Sequence, residues 1–296
     1  MDSTDSTDST DSAHAAIERR AELSQFLRTR RARLRPADVG LVSYGQRRVP
    51  GLRREELAQL AGVSVEYYVR LEQGRNPHVS DSVLEAVGRA LRLDAAEQDH
   101  LRNLARPDRA RPAARARSTS LAPEPVRPAL QRLIDAQPGP AYLCGPLTEV
   151  VAWNAQAVAV FGDFGQLPDE QRNFAYLIFL DEAYRALFAD SWQEKAESTV
   201  GLLRVSVGRH PDDPALASLI GTLAMKSEEF GALWAQQDVH EKAAGQYALR
   251  HPVVGPLDLD FEILHLPEAE RVLVSYLPTP GTDAAENLGL LASWTG

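Results

Sequence analysis

The chain has 296 residues, which is enough for two domains that each bury their own core. Hydrophobic residues make up 44% of the sequence and charged residues 25%, as is ordinary for a globular protein, and no apolar run is long enough for a membrane span. A single cysteine, Cys144, excludes an intramolecular disulfide and a cysteine-rich zinc site.

The net charge of −9 is distributed unevenly along the chain. Residues 13–117 carry 21 Arg and 13 acidic residues, whereas residues 118–296 carry 11 basic and 24 acidic residues. A basic segment joined to an acidic one is typical of a nucleic-acid-binding domain fused to a different module.

The N-terminus repeats Asp-Ser-Thr and contains almost nothing that can bury apolar area, so residues 1–14 are predicted to be a disordered tail. Apolar residues then recur at helical spacing from Ala15 to Arg33, and the intervening positions are rich in Arg. This pattern predicts a first helix with one buried face.

Residues 52–76 (LRREELAQLAGVSVEYYVRLEQGRN) predict two short helices joined by a tight turn. Leu57, Ala58 and Ala61 form the inward stripe of the first helix, and Gly62 follows where a residue free to take positive φ is favoured. Ser64 can cap the second helix, whose inward positions include Tyr68.

Two further helices are predicted after this pair, one from Ser80 and one capped by Asp94. Together they give a five-helix, all-α domain over residues 15–105. Residues 106–125 contain five Arg and four Pro with almost no large apolar group, and this composition predicts a linker.

The second predicted domain covers residues 126–296 and is of the α+β class. Strands are expected at 141–143, 147–152, 246–249, 257–264 and 271–278. Helices are expected at 126–136, from 153 onwards, and at 174–188, 190–209, 214–224, 227–236 and 284–292. Strands at both ends of a helical middle favour a PAS-like sheet with helices over one face.

Two resemblances rest on these segments. The positions of Ala58, Gly62, Val63, Tyr68 and Leu71 resemble the helix-turn-helix of the Cro and phage-repressor (xenobiotic-response-element) family. Residues 20–292 resemble MmyB-like transcription regulators, notably in the segments VVAWNAQAVAVFGDF, GRHPDDPALASLIG and RHPVVGPLDLDFE. The resemblance implies an N-terminal DNA-binding domain and a PAS-like C-terminal domain that holds a fatty-acid-like molecule.

The recognition helix of that family enters the major groove, and its motif implies which side chains read bases here. Those residues are Val65, Glu66, Tyr67 and Arg70. Arg54 and Arg75, near the ends of the two motif helices, are expected to contact phosphates. For Glu66 an alternative stays open, because it can also be a solvated carboxylate or a partner of Arg70 one turn later.

No hydrolase, P-loop or dinucleotide-binding motif occurs, so we predict no enzyme and no metal site. Large side chains of the second domain are candidate walls of an apolar pocket, with a few polar groups to orient the ligand. The candidates are Trp153, Asn154, Phe161, Phe174, Phe179, Trp192, Arg209, His210 and Trp234. Aromatic residues at helical spacing can equally be ordinary core, and Asn154 can instead be a helix cap.

The favoured hypothesis is a repressor that leaves its operator when a small apolar ligand binds. The alternative is a DNA-binding regulator whose C-terminal domain only dimerises or docks a protein partner. Either protein would act on double-stranded DNA in the bacterial cytoplasm, at the nucleoid, as a homodimer, since one module covers only one half-site.

Overall fold

A computed structural model of the chain describes residues 5–41, 49, 51–76, 79–106, 125–211, 213–238, 242–266 and 270–295, without the side chains of 5–16, 18, 294 and 295. Nearly all of the predicted linker 106–125 lies outside the described residues. The chain forms two compact units. The first comprises residues 1–119, 204–214 and 235–239, and the second comprises residues 120–203, 215–234 and 240–296.

The first unit contains the five predicted helices of the N-terminal region. They are α1 (Asp5–Arg33), α2 (Arg54–Ala61), α3 (Val65–Glu72), α4 (Asp81–Ala90) and α5 (Ala95–Ala105). Helix α1 begins at Asp5, so most of the tail predicted over residues 1–14 is helical. Residues 5–14 contain neither Gly nor Pro, and acidic residues are favourable in a first helical turn, so the amphipathic part of the helix can extend backwards through them.

The helix-turn-helix forms as its sequence predicts. Gly62 ends α2 with a φ of 67°, and its backbone N–H donates to the carbonyl oxygens of Ala58 and Gln59. The Ser64 hydroxyl accepts a hydrogen bond from the backbone N–H of Tyr67 and thereby caps α3. Leu57, Tyr68 and other fully buried side chains pack with Phe26 and Leu27 of α1, so the pair of helices is fixed on a shared core.

Two short segments from the second half of the chain also belong to the first unit, although the sequence assigned all of 126–296 to the second domain. Arg204 is fully buried and forms an ion pair with Glu22 of α1 at 2.6 Å. Arg30 donates to the carbonyl oxygen of Gln237, and Asp238 pairs with Arg30 and Arg33. Buried charges require such partners, and these partners lie far away in sequence.

The second unit is an α+β fold, as predicted. Its helices are α6 (Pro128–Asp135), α7 (Ala155–Phe161), α8 (Phe174–Leu180), α9 (Glu182–Phe188), α10 (Trp192–Arg209, ending in the first unit), α11 (Pro214–Lys226), α12 (Glu228–Ala235) and α13 (Asp283–Thr295). Its strands are β1 (Ala141–Cys144), β2 (Val150–Trp153), β3 (Ala244–His251), β4 (Gly255–Leu266) and β5 (Arg271–Pro278).

Two element boundaries in this unit differ from the prediction. The helix expected over 174–188 is two helices, because Asp181 ends α8 and its carboxylate accepts from the backbone N–H groups of Ala183 and Tyr184 to cap α9. Strand β2 begins at Val150, since Pro146 and Leu147 form a turn in which Thr148 has a positive φ of 65°.

The described strands pair antiparallel in the order β2-β1-β5-β4-β3. Side chains alternate between the two faces of a strand. Leu143, opposite Leu273 and Ala152, packs with α6 on one face, whereas Tyr142 lies on the other face. Helices therefore cover both faces of the sheet near β1, and the prediction of helices over one face was wrong there, because the apolar side of α6 buries Leu130 and Ile134.

None of the described helices combines the length and the apolar character that a membrane span requires.

Candidate DNA-binding surface and ligand-binding cluster

Helix α3 presents one face to solvent and the other to the core. Glu66 and Arg70 are exposed, Val65 is 36% exposed and Tyr67 is partly exposed. Tyr68, Leu71 and Glu72 on the same helix are buried. The four residues predicted to read bases are therefore available on the surface of the recognition helix.

A buried carboxylate, Glu72, fixes the orientation of α3. It accepts hydrogen bonds from Arg31 of α1, with Nε at 2.9 Å, and from Arg54 of α2, with Nε at 2.8 Å. Burial alone would raise the pKa of Glu72, but the hydrogen bonds and charges of these two guanidinium groups outweigh it and hold the pKa below its ordinary value. Glu72 thus links three helices of the first unit, a role that sequence reasoning missed.

The two residues predicted to contact phosphates differ in their surroundings. Arg75 follows α3 and is exposed. The side chain of Arg54 is 40% exposed, and its guanidinium lies 2.7 Å from the Glu72 carboxylate. Arg54 therefore has a structural partner, and any phosphate contact must be made by its remaining donors.

The predicted pocket residues Trp153, Phe161 and Phe174 meet in a cluster on the aromatic face of the sheet. Phe164 joins them, with its ring centroid 5.4 Å from that of Trp153 and 6.3 Å from that of Phe174. We call this group the sheet-face cluster. Its members are Tyr142, Trp153, Phe161, Phe164, Phe174, Tyr184, Phe188, Tyr247, Phe261 and Tyr276.

A second aromatic group holds Phe179, Trp192 and Trp234. Phe230 joins them, with its centroid 5.1 Å from Phe179 and 5.6 Å from Trp234. The indole N–H of Trp192 donates to the carbonyl oxygen of Ile178 at 2.9 Å, and Arg185 lies over the Trp192 ring. These contacts are those of a packed, hydrogen-bonded core. The predicted aromatic walls thus belong to two separate groups of contacting rings.

The polar pocket candidates have other positions. Asn154 caps α7, accepting from the N–H groups of Ala157 and Ala141 and donating to the carbonyl oxygens of Ile134 and Gly139, so the alternative of a helix cap is confirmed. Arg209, which is exposed, and His210, which is buried, both belong to the first compact unit. The structure therefore does not group Arg209 and His210 with the aromatic walls as predicted, because α10 continues past residue 203 into the first unit.

Sequence reasoning missed Lys195, a buried cation of the second unit. It lies on α10, is 7% exposed, and its Nζ is 3.4 Å from the hydroxyl of Tyr142. Nζ also lies 4.7 Å from the centroid of the Phe174 ring and 5.5 Å from that of Tyr247. Burial lowers the pKa of Lys195 to about 8, with the Cys144 thiol opposing the change.

Comparison with known protein families matches both halves of the chain. Residues 22–101 match a helix-turn-helix domain family, and residues 126–291 match the MmyB-like transcription regulator ligand binding domain. The chain belongs to the MmyB-like transcription regulators. A search of curated proteins found no match to the chain.

The two matched regions of this MmyB-like regulator contain the surfaces described above. The first includes the exposed face of α3 and the Glu72 carboxylate, and the second includes both aromatic groups and Lys195. Both families are transcription-regulator domains and neither is an enzyme family. Among the residues that the structure describes, no group of three or more His, Cys, Asp or Glu side chains could hold a metal ion.

Proposed function

We propose that this MmyB-like protein is a homodimeric repressor that binds a specific operator and releases it when a small apolar, fatty-acid-like ligand occupies the second unit. The observation that carries the DNA-binding part is the exposed face of α3, where Val65, Glu66 and Arg70 stand opposite a fully buried face. Arg70 can bond a guanine, Glu66 can accept from cytosine, and Val65 can pack on a thymine methyl group.

The second unit supports the ligand-binding part of the proposal. A five-stranded antiparallel sheet with aromatic side chains under its helices suits a PAS-like domain that encloses an apolar molecule. The sheet-face cluster offers ring faces from both the strands and the helices, as in Tyr142, which stacks on Phe174 at 4.5 Å.

Helix α10 supports a route by which the ligand acts on DNA binding. Residues 192–203 of this helix belong to the second unit and residues 204–209 to the first. Arg204 pairs with Glu22 of α1, and Arg31 of the same helix α1 binds Glu72 at the end of α3. A shift of α10 on ligand binding would therefore act on the helix that orients the recognition helix.

The test is a DNA-binding titration of the full chain with DNA selected by the protein from a random pool. We expect dodecanoate to weaken binding of the selected sequence and to leave weak binding of unselected DNA unchanged. Stronger DNA binding in the presence of dodecanoate would instead indicate an activator, or a repressor for which the ligand is a co-repressor. Unchanged DNA affinity at saturating dodecanoate would favour the alternative, in which the second unit only dimerises or docks a protein.

A dimer on a palindrome would place its two recognition helices about 34 Å apart along the duplex. The expected result in analytical ultracentrifugation is a dimer bound to a two-half-site DNA. Stable binding of a monomer to the full selected sequence would contradict the homodimer.

A further inference from the structure

The chain uses lysine rarely, and one of its few lysines is buried. It contains three Lys, at positions 195, 226 and 242, among 32 basic residues. Lys226 is exposed at the end of α11, whereas Lys195 is 93% buried in the second unit. Burying an ammonium group costs free energy unless it is paired, so a lysine at this position needs a physical reason.

No carboxylate pairs with Lys195 among the described residues. Its Nζ has one hydrogen-bond partner there, the hydroxyl of Tyr142, and its other neighbours are the rings of Phe174, Phe188 and Tyr247. Ring faces stabilise a cation, but they supply no oxygen acceptor for the remaining two N–H donors. The thiol of Cys144, the titratable group that also acts on Lys195, is itself kept protonated because burial raises its pKa.

The hydroxyl group of Tyr142 is also hydrogen-bonded to the hydroxyl group of Tyr276. The two oxygens are 3.2 Å apart, and both tyrosines are buried. If Lys195 donates to Tyr142 and Tyr142 donates to Tyr276, the hydroxyl hydrogen of Tyr276 has no acceptor among the described residues. An ammonium group and a phenol thus offer unused donors within one aromatic cluster.

We propose that Lys195 and Tyr276 bind the carboxylate of the apolar ligand, whose chain lies against the rings of the sheet-face cluster. This inference rests on the proposed function, because it assigns the headgroup site of the same ligand. A carboxylate would provide the missing counter-charge and two acceptor oxygens, and charge-assisted hydrogen bonds of this kind are stronger than neutral ones. Neither Arg209 nor His210, the sequence-based candidates, is part of this cluster.

The test compares dodecanoate with dodecan-1-ol, which has the same chain and no charge, on the delipidated full-length protein. For the wild type, we expect calorimetry to give at least about tenfold tighter binding of the acid. The Lys195→Met variant should bind both molecules with similar affinity. Lys226→Met is the matched control, since it removes an exposed lysine, and it should keep the wild-type preference for the acid. Tyr276→Phe should reduce that preference without abolishing it.

A second readout leaves Lys195 itself unchanged. With ¹³C label at lysine Cε, the protein gives three signals, which Lys226→Met and Lys242→Met assign. Dodecanoate should raise the pKa of Lys195 from about 8, and dodecan-1-ol should not.

The outcomes separate the two claims. Equal wild-type affinity for acid and alcohol, or an acid preference that survives in Lys195→Met, would overturn the Lys195 site and leave an apolar ligand pocket standing. Failure of both molecules to bind would overturn the Lys195 site together with the proposed fatty-acid-like ligand.

Discussion

At the scale of single residues, the buried charge of Glu72 holds the DNA-binding unit together. Glu72→Gln keeps the shape of the side chain but removes the charge that binds Arg31 and Arg54. We expect a loss of about 3 kcal/mol in the free energy of unfolding, because the change weakens the charge-assisted hydrogen bonds that the partly buried Arg31 and partly exposed Arg54 make with this buried carboxylate. Urea unfolding of the wild type and the variant measures this loss of stability.

The matched control for that prediction is Glu66→Gln, which changes an exposed glutamate on the same helix. It should alter stability by less than about 0.5 kcal/mol. Equal effects of the two substitutions would show that Glu72 contributes only as an ordinary surface charge.

Lys195 should lower the stability of the ligand-free protein. Its pKa is about 8 when folded and near the ordinary 10.5 when unfolded. Between these values the unfolded chain holds a proton that the folded protein has released, so wild-type stability rises with pH across this interval. Lys195→Met should therefore be more stable than the wild type at pH 7, by about 1–3 kcal/mol, and this difference should shrink as pH increases above 8.

Denaturant midpoints at pH 7 and pH 9.5 check this prediction. A variant that is less stable than the wild type at both values would mean that Lys195 is compensated in the ligand-free protein, and the physical basis of a headgroup site there would be lost.

At the scale of elements, we expect helix α3 to read bases and the loop after it to contact phosphates. Arg70→Ala should weaken binding of the selected DNA by about 1–3 kcal/mol and relax preference at one base position. Arg75→Ala should weaken all sequences alike and reduce the slope of log K against log salt by about one. Competition binding at several salt concentrations measures both effects, and equal losses on selected and unselected DNA would make Arg70 a phosphate contact.

Arg54 should affect two properties at once. Because it binds Glu72, Arg54→Ala should reduce stability as well as DNA affinity. Measurement well below the melting temperature separates these effects. If the salt slope then equals that of the wild type, the role of Arg54 is to orient α3 and not to neutralise a phosphate.

Local signals in the sequence predicted the elements well. The Ser64 cap, the left-handed Gly62 and the inward stripe of α3 depend on residues within a few positions of one another, and all three are present in the structure. The split of residues 174–188 was missed, because an apolar pattern runs through it and the signal was a single cap, Asp181.

The long-range pairings could not be predicted from spacing. Arg31 and Glu72 are 41 positions apart, and Lys195 and Tyr142 are 53 apart, so no periodic pattern joins them. For the same reason, sequence order placed Arg209 and His210 in the ligand domain, whereas the polar partners of Arg204 hold this end of α10 in the first unit.

At the scale of the whole molecule, helix α10 should couple the ligand to DNA. Arg204→Met removes the ion pair with Glu22 but keeps a long apolar side chain. We expect the variant to bind both dodecanoate and DNA while losing the effect of one on the other. Arg250→Met, which breaks an exposed ion pair with Asp190, is the control and should keep the coupling.

The most direct test of ligand-responsive DNA binding is a titration of dodecanoate into the full-length protein with and without saturating selected DNA. A ligand can shift an equilibrium only through its different affinity for the two states, and the coupling must be reciprocal. We predict that DNA weakens dodecanoate binding by about 5- to 150-fold, and that dodecanoate weakens DNA binding by the same factor. Tight dodecanoate binding with the same dissociation constant in both titrations would contradict the account.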